Sequence, residues 1–157
     1  MSIKTFRGKL DGTDNGSMAT IRLGTNDGLT GYKIKKFECI QASPGTTNCE
    51  GVVMIWSVKQ DEPTSIPAAL ALYGKINLDS PLVLAVNFYS GQASAQTYSE
   101  DQTIIFDNVK FNQDIFITYY DVSTSNDDMN YHIELEKMKL NSDEATVATL
   151  KDMRGRE

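Results

Sequence analysis

Thr103–Leu140, TIIFDNVKFNQDIFITYYDVSTSNDDMNYHIELEKMKL, decides the fold. Apolar and polar residues alternate there with the two-residue period of a half-buried strand, not the 3.6-residue period of a helix. The stretch reads as three strands in close succession, TIIFDNVKFN, QDIFITYYDVS and NYHIELEKMKL, parted by Asn/Asp-rich turns. In the middle strand Ile115, Ile117 and Tyr119 oppose Phe116, Thr118 and Tyr120, so both faces want cover. In the last, Tyr131, Ile133 and Leu135 point inward and His132, Glu134 and Glu136 outward, after which Met138 and Leu140 are inward on the opposite parity. That switch predicts a β-bulge near Glu136-Lys137.

Working outward, Tyr32 and Ile34 share one parity and Phe37 and Cys39 the other, which predicts a bulge at Lys35-Lys36. GVVMIWSVKQ and PLVLAVNFYS are apolar on both parities, as central strands covered on both sides or by a neighbouring subunit would be. Trp56 is then a core residue before it is a ligand platform. PAALALYGK, with Pro67 suited to a first turn and Gly74 to a stop, predicts a short helix, and GQASAQTYSED a surface loop. Asn141 followed by Glu144 is a capping box with Asn in place of Ser or Thr, and Val147 and Leu150 give a brief helical spacing before the tail DMRGRE. Residues 1–31, where Gly/Asn/Asp clusters bracket Ala19–Leu23, read as an N-terminal arm or edge hairpins, and residues 32–157 as the β-sandwich domain. The fold class is therefore all-β: an antiparallel β-sandwich, jelly-roll-like, with a short C-terminal helix.

A chain of 157 residues with 40% hydrophobic and 23% charged residues is the size and composition of one globular domain. No apolar run approaches the roughly 18 residues of a membrane span, and MSIKTFRGKL has no secretory apolar core, so a cytosolic place of synthesis or assembly and no membrane partner are expected. The formal charge of −6 argues against direct nucleic-acid binding. It is unevenly spread: residues 1–60 carry eight Lys/Arg against five Asp/Glu, and residues 61–157 seven against sixteen. Such a two-ended chain suits head-to-tail contact between subunits or docking on an oppositely charged scaffold; solvated faces without a partner are the plainer reading.

Catalytic chemistry is thin. Nucleophile-plus-base catalysis needs a histidine, and His132 sits alone on a polar strand face. Glu134 and Glu136, about 7 Å apart by strand rise, match the spacing of an inverting glycosidase, yet alternate glutamates beside Lys137 and Lys139 also describe an ordinary solvated strand. No catalytic or cofactor-binding residue is assigned. Phosphate-binding glycine motifs do not occur, and Asp11, Thr13 and Asn15 lack the later ligands of a calcium loop. Cys39 and Cys49 flank QASPGTTN; if it closes a hairpin about Gly45-Thr46, Cys39 faces roughly Val52, and the expectation is a buried free thiol at Cys39 and an exposed one at Cys49, with no metal site. Tyr89, Tyr98, Tyr119, Tyr120 and Tyr131 fit a core or subunit contacts, or else a sugar-stacking face.

Ile105-Phe106-Asp107-Asn108, Phe111-Asn112-Gln113-Asp114-Ile115, Asn130-Tyr131-His132-Ile133-Glu134-Leu135-Glu136 and Ala148-Thr149-Leu150-Lys151-Asp152-Met153-Arg154-Gly155, with Thr30-Gly31-Tyr32-Lys33-Ile34 and Lys36-Phe37 upstream, resemble small virion-type proteins of marine bacteriophages. The resemblance covers most of residues 30–155; residues 1–29 and the PAALALYG insertion lie outside it. It implies a structural subunit of the virion, a capsid-associated, decoration or minor head protein made in the cytoplasm of an infected bacterium, forming a homo-oligomer (trimer or pentamer) and meeting other capsid proteins. The alternative is a carbohydrate- or receptor-binding β-sandwich at a phage tail or fibre, which requires exposed tyrosines on one concave patch and a glycan partner.

Overall fold

A computed structural model of the chain describes residues 2–23, 29–91, 100–106 and 109–154, with side chains to residue 150. Tyr98 and most of the GQASAQTYSED loop, the Asp107-Asn108 step, residues 24–28 and the end of the tail lie outside the described residues. Among the described residues eight strands form: β1 (Ser2–Leu10), β2 (Ser17–Ile21), β3 (Thr30–Gln41), β4 (Cys49–Trp56), β5 (Val83–Gly91), β6 (Glu100–Ile105), β7 (Ile115–Asp121) and β8 (Met129–Lys139). Among the same residues two helices join them, α1 (Ile66–Leu72) and α2 (Ser142–Arg154).

The strands make two antiparallel sheets, ordered β1-β8-β3 and β2-β7-β4-β5-β6. Numbered along the chain, the first strand pairs with the eighth, the second with the seventh and the fourth with the fifth. One long antiparallel hairpin wound over two layers gives this nesting, and it is the jelly roll. Among the described residues the nested pair β3–β6 does not zip into a ladder: β6 hydrogen-bonds to β5, and β3 packs across the interior against both.

The three strands of the opening stretch are thus not a meander. Each leaves its predecessor's sheet or neighbours, because both faces of β7 are apolar and only the central position between β2 and β4 covers them. Inside, Ile115, Ile117 and Tyr119 meet Ile133, Leu135, Phe37 and Val53 in one core. Outside, Val52, Met54, Val83 and Val86 form a second cluster with Trp56 and Phe106 packed on it, and Ala69 of α1 and Tyr73 at its C-cap close over Tyr120. The Trp56 indole N–H donates to Thr118 Oγ1 at 2.8 Å, so the ring is a half-buried packing element. Helix α1 starts where expected, with Ser65 Oγ accepting from Ala68 N and Pro67 in the first turn.

Of the two bulges expected in β3 and β8, one forms. The bulge at Lys35 is present: Ile34 lies opposite Leu135 and Lys36 opposite Glu134, so Lys35 is the extra residue. No register shift occurs at Glu136-Lys137, where both ladders of β8 run on without interruption. The parity switch has another cause. The strand ends at Lys139, and Leu140 folds under Gly31, its N–H donating to Leu29 O at 2.6 Å.

Residues 2–21 are not set apart as an arm. β1 and β2 are the edge strands of the two sheets, each laddered to a core strand, and the turn between them closes through Gly16, whose φ of +77° a side chain would strain. The sequence leaves an arm and edge hairpins both open for this segment because Ser2–Thr5 is exposed on both faces and shows no alternation. The 42–48 loop likewise is no hairpin: it carries the chain from one sheet to the other. Cys49 therefore turns inward and is fully buried, correcting the exposed thiol expected there, and both cysteines are free. In α2 Asn141 Oδ1 caps Glu144 N at 2.8 Å, but Ala145 and Ala148 face the body while Val147 and Leu150 stay exposed, since small residues let the helix approach closely.

Candidate interaction surface

Alternation along the three-stranded sheet sends four residues of each strand to its outer face, and the ladders set them in rows: Lys9–Asn130–Ile40, Arg7–His132–Glu38, Thr5–Glu134–Lys36 and Ile3–Glu136–Lys33. Among the described residues no element packs over this face, whereas on the outer face of the five-stranded sheet α1 closes over Tyr120. Ile40 (59% exposed) and Ile3 (46%) stand open at opposite ends of it.

The rows settle what the candidate polar residues do. Glu134 lies between Thr5 and Lys36, and Glu136 between Ile3 and Lys33 while pairing with Lys35 at 3.5 Å. Lys36 bonds Glu38 at 3.0 Å, and that carboxylate raises the lysine's pKa. Both glutamates thus answer lysines across strands, the arrangement of a charge-paired sheet surface. His132 is half-buried between Arg7 and Glu38. A shallow concavity of about 490 Å³ opens here, lined by Arg7, Lys9, Glu38, Ile40, Asn130 and His132 among others.

At the Lys9 end the face meets the β7–β8 turn. Asp128 accepts from Gly12 N at 2.8 Å and pairs with Lys9 at 3.3 Å, and these two partners hold its carboxyl below the usual range. Behind it lies a buried polar knot: Tyr119 Oη donates to Asp127 O, and Gln41 Nε2 donates to Asp127 Oδ2 at 2.9 Å and to Thr47 O at 2.8 Å. Burial drives the Tyr119 hydroxyl far above its ordinary pKa and the Cys49 thiol up to about 12. Groups this reluctant to ionise brace the turn and offer no ready nucleophile.

Of the oxygens at calcium-loop spacing, that of Thr13 is engaged in a turn, its Oγ1 donating to Gly16 O, while the neighbouring Asp14 accepts from Asn126. Among the described residues no group of three or more His, Cys, Asp or Glu gathers to hold a metal ion, and no helix is long and apolar enough to cross a membrane. Among the described residues no tyrosine platform of the glycan alternative gathers: Tyr32, Tyr73, Tyr89, Tyr119 and Tyr120 are buried, and Tyr131 packs half-buried over Gly8. A larger cavity of about 770 Å³, which sequence reasoning missed, lies between residues 78–84, Phe106, residues 109–114 and α2. Leu82, Leu84, Phe106, Val109 and Phe111 line it, and Lys110 beside it is tied to Glu144.

No protein-family profile and no curated protein matches the sequence. Among solved structures, the chain is similar to Merkel cell polyomavirus VP1 in complex with GD1a oligosaccharide, at 11% identity and a TM-score of 0.45, over 89% of this chain and 96% of that one. The unassembled pentamer of the same VP1 gives 9% identity and 0.44 over 87% and 94%, and the unassembled KI polyomavirus VP1 pentamer 11% and 0.31 over 82% and 74%.

Proposed function

We propose that the chain is a non-enzymatic structural subunit of a virus particle, a capsid-associated or decoration/minor head protein of a marine bacteriophage, held in place by self-association and by docking on neighbouring capsid proteins. The observation that carries the reading is the asymmetry of the jelly roll. In the five-stranded sheet α1 closes over part of the outer face, whereas among the described residues no element packs on the outer face of the three-stranded sheet, and its nine-residue edge strand β1 is open as well. An open edge and an uncovered face are what an assembling subunit presents to its neighbours, and closed rotational symmetry, a trimer or pentamer, is the usual way to cover them. The sequence words in residues 30–155 supply the phage and the virion. Nothing on the open face adds a nucleophile, and its carboxylates are matched by lysines.

Mass spectrometry of purified virions with copy counting tests the reading. Tens to hundreds of copies per particle are expected of a decoration or minor head protein. A few copies would move it to the tail, and absence from particles would overturn it.

A further inference from the structure

We propose that the free edge of β1 in one copy pairs antiparallel with the free edge of β6 in the next, so that the three-stranded sheet of one subunit continues into the five-stranded sheet of its neighbour. The idea rests on the self-associating subunit above and names the contact.

Four strands end the two sheets. β3 is engaged within its own chain, bridged to Phe111 through Tyr32 and packed on β5 and β6. β2 is five residues long and uncharged. β1 carries Lys4, Arg7 and Lys9 and no acid, whereas β6 carries Glu100 and Asp101 and no base, with Glu100–Ile104 exposed. The two lie on opposite flanks, β1 beside β2 and β6 beyond β5, as a head-to-tail contact requires. Pairing like edges instead would set three bases against three, or acids against acids, which sheets avoid.

One register satisfies both chemistry and parity. With Ile3 opposite Ile104, the six residues of β6 run against Ser2–Arg7, placing Thr5 opposite Gln102 and Arg7 opposite Glu100. Ile3, Thr5 and Arg7 share the outer face of their sheet, and Ile104, Gln102 and Glu100 that of theirs. The exposed Ile3 (46%) and Ile104 (37%) cover each other, and an opposite-charge pair closes the other end. Lys9, already paired with Asp128, lies beyond the contact. A contact between unlike edges closes into a ring or grows into a filament, according to the rotation per step.

Sedimentation of the purified chain at low and high salt reads the contact, with Arg7→Glu, Glu100→Arg and the double variant beside the wild type. Both positions are exposed, and unchanged urea midpoints verify the fold. Each single reversal should weaken association at least about tenfold by setting like charges together. The double variant, or a mixture of the two singles, should recover it. Oxidation of a Thr5→Cys/Gln102→Cys variant should yield a ladder of covalent oligomers, and a mixture of the two single-cysteine chains only a covalent dimer. Association indifferent to both reversals, a wild type that stays monomeric at low salt, or no cross-link overturns the contact. Absence from virions with the contact intact overturns the viral reading alone.

Discussion

Deleting Lys35 is the sharpest test of how β3 is built. Tyr32 and Ile34 are buried on one side of the bulge, Phe37, Cys39 and Gln41 on the other, and Lys35 is the residue opposed by nothing in β8. Removing it brings Ile34 and Lys36 together, and their partners Leu135 and Glu134 are already consecutive, so every other pair in the ladder survives. The loss is the surface pair with Glu136, roughly 0.2–1 kcal/mol, partly returned by a regular ladder. Deleting Lys33, two residues away, acts otherwise. The chain must then turn out either Tyr32 or Ile34. Exposing one such side chain costs about 1.5–3 kcal/mol. If it is Tyr32, the two backbone bonds to Phe111 go too, at about 0.5–1.5 kcal/mol each. The expected contrast is a change within about 1 kcal/mol for Lys35 against a loss of about 2–5 kcal/mol for Lys33. Urea unfolding followed by Trp56 fluorescence, compared at unchanged m-value, measures both. A Lys35 deletion that costs more than the Lys33 deletion would refute the bulge.

Three further outcomes follow from the interior. Tyr119→Phe removes a buried donor from the Asp127 carbonyl and should lose about 1–3 kcal/mol in the same assay; an unchanged midpoint would show that the knot does not brace the turn. Burial raises the pKa of Asp101, the amide of Asn87 pulls it back and Glu38 adds to the rise. A raised folded pKa means that the stability the group contributes is present below its unfolded pKa and is lost as pH rises through the folded one. Asp101→Asn, neutral throughout, should therefore stabilise at pH 7 and lose that advantage as the pH falls below about 4; an advantage that persisted or grew in acid would contradict the sign. Finally, Cys39 and Cys49 are buried with raised pKa values, so a thiol reagent at pH 8 should find no reactive cysteine in the native chain and two in urea. A thiol labelled before unfolding would contradict their placement.

Faces were legible in the sequence and partners were not. The alternation in Ile115–Tyr120 and in Tyr131–Glu136 already tells which side chains point together, because the period of a strand is local. Which strand lies alongside depends on what must cover those faces from far along the chain, and so three consecutive strands ended with five different neighbours: β6 on β5, β7 between β2 and β4, β8 between β1 and β3. The mistaken exposure of Cys49 has the same root, a local hairpin assumed where the chain changes sheets. The candidate surface divides likewise. The lysines and arginine it carries were visible in the count over residues 1–60, but the row Arg7–His132–Glu38 joins residues more than ninety positions apart and exists only through the register, which also brings Glu134 and Glu136 among those bases.

The two parity switches show what separates a true signal from its mimic. Both Lys35-Lys36 and Glu136-Lys137 interrupt an alternation by one residue, and both predict a bulge. At the first, three buried residues continue the new parity, Phe37, Cys39 and Gln41, each paired with β8, so the strand must go on and the extra residue must be accommodated within the ladder. At the second, Leu140 alone is buried on the new parity, and it reaches the core by leaving the strand, against Gly31 where a side chain would block it. A single apolar residue after a switch is satisfied as well by a strand end as by a bulge, and the strand end is cheaper because it sacrifices no ladder bond. The length of the alternation beyond the break therefore carries the information, and replacing Gly31 with alanine probes it directly. The added methyl would lie 2.6 Å from Leu140 Cδ2. It should expel that side chain and cost about 1–3 kcal/mol, whereas a Leu140 held in a bulged strand would not meet residue 31 and would leave the midpoint where it was.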